Sequence, residues 1–276
     1  MKYDITSIVK DLEYRYIFTH ACDEPSLAVI LSCSPTEDEI SYLKQIYKAS
    51  EKYGVKLLEL RTCDPMQITK ELLGTHTDGI IRISDIGIAS NFYIDRRIGC
   101  DQDLDGVCVA NRAQWVEDDG YLRSFPCTAL ACYLVLLEYF DGKIRSKDIS
   151  IINRSNVIGK PLALLLSSKR ENQGSATVEV LHSQSAHIAQ KVAHRDAIVT
   201  AMGIPGSFDY RVESNSTLAP LIIDAGVGLG TDGKIHGDVS DSLLESEDVQ
   251  VAKIGKLTTT ILFAKLFGGF RCDTWL

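Results

Sequence analysis

Along this chain, short runs of continuous apolar residues alternate with longer stretches in which apolar residues return every three or four positions. "SLAVIL" (26–31), "VKLLEL" (55–60) and "DGIIRI" (78–83) are brief apolar runs, and each predicts a buried strand. Between the first two lies "EDEISYLKQIYKASEKYG" (37–54). Its Ile40, Leu43, Ile46, Tyr47, Ala49 and Tyr53 line one helical face, and Gly54 supplies the stop. "DPMQITKELLG" (64–74) predicts a short helix, and residues 84–115 read as irregular. "CTALACYLVLLEYF" (127–140) is apolar throughout and predicts a buried helix.

The second half repeats the alternation more tightly. "DISII", "ATVEVLH", "DAIVTAMG" and "PLIIDAGVG" predict strands, with helices over "GKPLALLLSSKR" and "SAHIAQKVAH". The tail "KLTTTILFAKLFGGF" predicts an apolar helix returning to the first domain. Strands alternating with helices give an α/β chain with parallel sheets. The pattern places a domain boundary near residues 125–145.

Composition narrows the function classes. The 276 residues suffice for one large or two ordinary domains, and 45% hydrophobic with 24% charged residues suits a globular protein. A net charge of −8 argues against nucleic acid or an anionic membrane as partner. "MKYDITSIVKDLEYRY" has no apolar core of the secretory kind, and no apolar run approaches the roughly 18 residues of a membrane helix. The eight cysteines form no CxxC pair, so reduced thiols, a cytoplasmic location and no metal site are expected. "DQDLDG" (101–106) lacks the spacing and glutamate of a calcium loop. Cys127, a conceivable nucleophile, sits in an apolar helix and reads as core.

"IINRSNVIGKP" (151–161) carries the first chemistry. A strand runs into a turn and then a helix, the place where a parallel sheet holds anionic ligands. The helix start is expected to offer unpaired N–H groups to a phosphate. Gly159 allows close packing, and Pro161 suits the first helical turn. Asn153 stands where a dinucleotide fold usually has its first glycine; Asn tolerates left-handed angles better than most residues. The next strand ends in His182 and Ser183 with no acid at its tip, and Glu179 lies inside it. Arg154, Ser155 and His182 therefore favour the 2′-phosphate of NADP over the bare ribose of NAD.

Several motifs together resemble the methylenetetrahydrofolate dehydrogenase/cyclohydrolase family. They are "NRSNVIGKPLALLL", "ATVEVLHSQS", "TAMGIP", "IIDAGVG" and "DGKIHGDV", preceded by "SYLKQIYKASEKYGV", "TDGIIRI", "DQDLDGVCVAN" and "FPCTA" and followed by "KIGKLTTTIL". The resemblance covers most of the chain. It implies an N-terminal folate-type domain (1–126 with the returning helix 256–276) and a Rossmann-like NAD(P) domain (127–255), with a cleft between them. It also implies a homodimer acting on a reduced folate. Asn153, Arg154, Ser155, Gly159, His182, Ser183, Gly203, Pro205, Asp224 and Gly226 fall on the family's cofactor-binding positions. The departures there are Asn153 for a glycine and Gly228 for an asparagine.

The substrate half matches less well. Tyr42 and Asp105 fall on residues that face the pterin in the family. Ile46, four residues after Tyr42, stands where the family has a lysine, and Ile83 where it has a glutamine. "SDIG" replaces a Leu-Pro-Leu-Pro run, and "KIGK" shortens the final loop. Hydride transfer needs orientation above all. Hydrolysis of the methenyl product needs an acid–base group, which two isoleucines cannot supply. Lys44 and Lys48 are each two residues from Ile46, about 200° around the helix, and with Lys52 read as a solvated face. The expectation is a dehydrogenase without cyclohydrolase activity. Two alternatives stay open: an oxidoreductase of the same fold with another substrate, and a silent nucleotide-binding partner protein.

Overall fold

The computed structural model describes residues 1–19, 24–61, 64, 67, 77–84, 88–117, 122–213 and 218–270. The helix expected over 64–74 lies outside them. The chain divides into two compact units: 1–9 with 128–258, and the described parts of 10–127 with 259–275. Each is an α/β unit built on a parallel sheet.

The three-stranded unit has sheet order β2-β1-β3, with β1 Ser26–Leu31 central between β2 Lys56–Arg61 and β3 Gly79–Arg82. The central strand is the most completely buried, as a covered parallel sheet requires. After α1 (Thr6–Leu12), which spans the junction of the two units, comes α2 (Glu37–Tyr53). Thr36 and Glu39 form a reciprocal capping box at its start, and Gly54 ends it in the left-handed conformation (φ 69°). The stretch expected to be irregular contains two helices, α3 (Ile88–Asp95) and α4 (Val109–Glu117). Their cue is weak because apolar positions do not form one stripe: Val109 and Val116 point outward while Asn111 is buried.

α5 (Cys127–Tyr139) is the buried helix expected from its composition. The five-stranded parallel sheet then forms in the order β10-β7-β6-β4-β5. Its strands are β4 (Asp148–Ile152), β5 (Thr177–Leu181), β6 (Ala197–Thr200), β7 (Leu221–Asp224) and β10 (Gln250–Lys253). Polar residues around β10 had hidden it in the sequence. α6 (Gly159–Ser167) follows β4 and α7 (Ile188–Val192) follows β5, both shorter than their apolar patterns suggested. A small hairpin, β8 (Gly228–Leu229) and β9 (Ile235–His236), and α8 (Asp241–Glu245) precede β10. Ile152, Leu181, Ile198, Phe208, Ile222 and Val251 share one core cluster beside this sheet. α9 (Gly255–Leu266) closes the chain, and its Phe263 ring packs 5.2 Å from that of Tyr53. Among the described residues no helix is long and apolar enough to cross a membrane.

Candidate functional site

The register of the larger sheet gathers one group of candidates. Ile152 pairs with Leu181 and Thr200, and Thr200 pairs with Asp224. The segments carrying Asn153–Ser155, His182–Ser183, Gly203–Pro205 and Asp224–Gly226 therefore leave adjacent parallel strands at one carboxyl-end rim. That rim is where such sheets hold ligands.

At the first turn the structure corrects two expectations. Asn153 is absent from the positive-φ residues, so left-handed tolerance is not why it is there. Its side chain is the reason. Oδ1 accepts from Ser155 N at 2.8 Å and Gly159 N at 3.1 Å, while Nδ2 donates to Ala201 O at 2.7 Å beyond β6. The start of α6 likewise offers no run of open amides. Gly159 N goes to Asn153, Lys160 N goes to Ser155 O, and Pro161 has no N–H. An added Cβ at Gly159 would lie 2.0 Å from Asn153 O, so only glycine fits.

The donors that this rim offers are side chains rather than open amides. Arg154 is exposed, with no bonded partner among the described residues. Ser155 Oγ accepts from Ile158 N at 3.1 Å and keeps its own hydrogen for donation. His182 Nδ1 accepts from Gln184 N at 3.2 Å, which in the neutral ring leaves the proton on Nε2. Ser183 is exposed. Glu179, the nearest acid on β5, is held by Lys191 at 2.8 Å and Arg195 at 2.7 Å, so it does not serve the strand tip.

The later loops are stitched by two acids. Asp238, wholly buried, accepts from Thr200 Oγ1 at 2.9 Å, Met202 N at 2.5 Å and Ile204 N at 2.9 Å. Asp224 accepts from Asp238 N at 3.0 Å and Val239 N at 3.4 Å. Burial raises the Asp224 carboxyl above the usual range, against the pull of those two amides. Asp224 thus shapes the Gly203–Pro205 loop through Asp238. Gly226 and Gly237 permit the crossing, since a Cβ on either would lie about 2 Å from the other loop's carboxylate. Gly228 is explained in the same way, because a Cβ there would lie 2.6 Å from Gly203 O. A cavity of about 450 Å³ opens beside Pro205, Gly237 and Lys253.

In the three-stranded unit, Tyr42 and Asp105 come together. Burial holds the Tyr42 phenol well above the usual tyrosine range, and the Asp105 and Cys127 groups push it the same way. Both residues keep part of their surface exposed while their titrating groups are enclosed. Asp105 Oδ1 accepts from Cys127 N at 3.1 Å. Burial raises the Asp105 carboxyl, opposed by the Cys127 amide and by the charge of Lys265, and reinforced by Asp103. Asp103 accepts from Val107 N, Cys108 N and Asn111 Nδ2, so its carboxylate anchors α4. Burial pushes the Cys127 thiol up, which suits a core cysteine.

Ile46 is 0% exposed. Lys44 and Lys48 are exposed, consistent with the opposite face of α2. Lys52 is exposed as expected, and it also pairs with Glu13 at 2.6 Å. Ile83 is half-buried, with its N–H on Ile30 O at 3.0 Å. Beside it, Ser84 Oγ donates to Glu39 at 2.9 Å, and Arg82 and Arg112 share the buried Asp95 at 3.0 and 2.8 Å. Sequence reasoning missed Lys265, which is 0% exposed on α9. A single lysine inside the apolar run "TILFAKLF" was the signal.

The model of the tetrahydrofolate dehydrogenase/cyclohydrolase NAD(P)-binding domain matches residues 126–271. Among curated relatives, the bifunctional protein FolD of Thermotoga maritima is 27% identical over 242 residues, covering 85% of this chain and 85% of its own length. That of Bordetella petrii is 29% identical over 227 residues, covering 78% and 72%. The solved FolD methylenetetrahydrofolate dehydrogenase/cyclohydrolase of Campylobacter jejuni superposes with a TM-score of 0.76 at 25% identity, covering 95% of this chain and 94% of that one. The Trypanosoma brucei dehydrogenase–cyclohydrolase, solved with NADP and an inhibitor, gives 0.77 at 21% identity with 98% and 97% covered, a likeness of fold.

Proposed function

The chain belongs to the tetrahydrofolate dehydrogenase/cyclohydrolase family, and from that premise we propose that it oxidises 5,10-methylenetetrahydrofolate with NADP and does not hydrolyse the methenyl product. It is an NAD(P)-dependent oxidoreductase of the methylenetetrahydrofolate dehydrogenase kind. The finer reading rests on one observation above others: Tyr42 and Asp105 are kept together, while Ile46 on the same helix is sealed from solvent.

The cofactor rim fits a phosphorylated dinucleotide. Arg154 supplies an exposed guanidinium, and Ser155, His182 Nε2 and Ser183 supply further donors on neighbouring loops. An acid that would repel a 2′-phosphate is missing from the β5 tip, since Glu179 is tied to Lys191 and Arg195. The Asp224–Asp238 stitching fixes the two loops beyond β6 and β7. Arg154, Ser155, His182 and Ser183 would hold the dinucleotide, which would supply the hydride acceptor.

On the substrate side, Asp105 can accept from the pterin's ring N–H and amino groups, and Tyr42 offers its ring face and a protonated hydroxyl. Neither needs to move a proton for hydride transfer. Methenyl hydrolysis does need a titrating group near water. Ile46 and Ile83 have none, Lys44 and Lys48 lie on exposed positions, and Lys265 is wholly enclosed. A cytosolic homodimer belongs to the same reading, supported by the resemblance. The domain division of this reading runs 1–126 with 256–276 and 127–255.

An oxidoreductase with a different substrate is the second reading. It is favoured by the Arg82–Asp95–Arg112 network and the Ser84–Glu39 bond, which rebuild the end of β3. Steady-state assays with 5,10-methylenetetrahydrofolate and NADP separate the two. Reduction of NADP supports the first; binding of NADP without folate-dependent reduction contradicts it.

A further inference from the structure

Lys265 sits on α9 with no solvent exposure, inside the unit that holds Tyr42 and Asp105. A lysine rarely occupies such a place without partners. Its Nζ donates to Leu104 O at 2.9 Å and also to Phe125 O. These carbonyls flank the two halves of one small assembly. Leu104 directly precedes Asp105. Phe125 leads through Pro126 to Cys127, whose N–H holds Asp105 Oδ1 at 3.1 Å and whose thiol donates to Leu104 O at 3.2 Å. Gly106 (φ 64°) allows the two segments of this assembly to touch, because a Cβ there would lie 2.2 Å from Ser124 O. Lys265 is thus a side chain bonded to both segments that aim the Asp105 carboxylate.

We propose that Lys265 is a positioning residue for the folate site: it fixes the Asp105 carboxyl group in place, and its charge favours the ionised form for binding the pterin. The proposal rests on the dehydrogenase reading for what Asp105 binds, and on the hydrogen bonds of Lys265 and Cys127 for the coupling.

The charge is needed because of where Asp105 lies. Burial works against the carboxylate, and Asp103, two residues away, adds a like charge. Tyr42 from α2 and Cys127 from α5 are the other titratable groups facing it, and both stay protonated as burial raises them. Lys265 from α9 is the cation that offsets this. Burial lowers the lysine itself, and the Asp105 and Asp103 charges pull it back up against Arg123. Each charge therefore helps to hold the other.

The test uses the full chain with Lys265→Met and Lys265→Gln. Methionine removes charge and hydrogen bonds. Glutamine keeps an amide for the carbonyls without the charge, so it also serves if Lys265→Met does not fold. The expected result for Lys265→Gln is a KM for methylenetetrahydrofolate raised about tenfold or more, with the KM for NADP unchanged. The acid limb of kcat/KM should move to higher pH, as Asp105 protonates more readily. Wild-type folate kinetics and an unmoved acid limb, with only a lower Tm, would make Lys265 purely structural and overturn the proposal.

A second readout does not depend on turnover. The Tm difference between Asp105 and Asp105→Asn proteins is followed against pH, in wild type and in the Lys265→Gln background. The pH at which that difference changes should rise in the Lys265→Gln background. If it does so while wild type shows no folate turnover, the coupling stands and the dehydrogenase reading fails. If it does not move, the proposal fails whatever the activity.

Discussion

Asn153 Oδ1 accepts the amide of Gly159 at 3.1 Å, and the same side chain donates to Ala201 O at 2.7 Å. One asparagine thereby caps α6 and ties the end of β4 to the end of β6. The position looks like a lost glycine, yet restoring glycine should do harm. Asn153→Gly removes three hydrogen bonds, counting that from Ser155 N, each worth about 1 kcal/mol. A loss of about 2–3 kcal/mol in urea unfolding is expected, and an unchanged midpoint would show that the cap is dispensable.

Arg154 is exposed and unpaired among the described residues, which is the condition for a side chain that awaits an anion. A charge-assisted hydrogen bond to phosphate is worth about 1.5–3 kcal/mol. Arg154→Ala should therefore raise the KM for NADP about 10- to 100-fold and leave that for NAD nearly unchanged. Equal effects on both cofactors would move the 2′-phosphate pocket away from this turn.

The strands of both sheets were legible in the sequence because continuous apolar runs suit strands covered on both faces. β10 was not, since Gln250 and Lys253 interrupt it and only Val251 and Ala252 are buried. α3 and α4 were hidden for a related reason: Asp95 and Asn111 are buried polar residues that break the helical stripe. The segments that carry the candidate cofactor residues were legible from motif order, since they lie at the carboxyl ends of β4, β5, β6 and β7. What the sequence could not show was how their side chains are used. Asn153 caps a helix and Asp224 holds the backbone at 238–239. Lys265 lies far along the chain from Leu104 and Phe125, and only folding brings the three together.

Asp105 gives a pH signature. Its folded carboxyl titrates above its unfolded value because burial disfavours the charge. That contribution to stability is fully present below the unfolded value near 3.8 and is lost as pH rises through the folded one. Asp105→Asn should therefore raise Tm relative to wild type at pH 7, and the gain should shrink toward pH 3. A gain that does not change with pH would contradict the buried, raised carboxyl.

Ile46 fixes the dry character of its helix face. Ile46→Lys places a charge at a fully enclosed position, at a cost of about 3 kcal/mol or more. Thermal melts should show a drop of roughly 6–12 °C. Methenyl hydrolysis should not appear, because Ile83 still offers no hydrogen-bond partner. A stable, hydrolytic Ile46→Lys protein would mean that the site retains the rest of the cyclohydrolase machinery.

The central claim is that oxidation of the folate survives while hydrolysis of its product does not. The most direct measurement mixes the protein with 5,10-methylenetetrahydrofolate and NADP and follows reduced nicotinamide and the methenyl product together. The two should rise one for one, and after NADP is exhausted the methenyl signal should decay at the rate seen in protein-free buffer. Decay that accelerates with protein concentration would contradict the account and return an acid–base group to the site that Ile46 and Ile83 occupy.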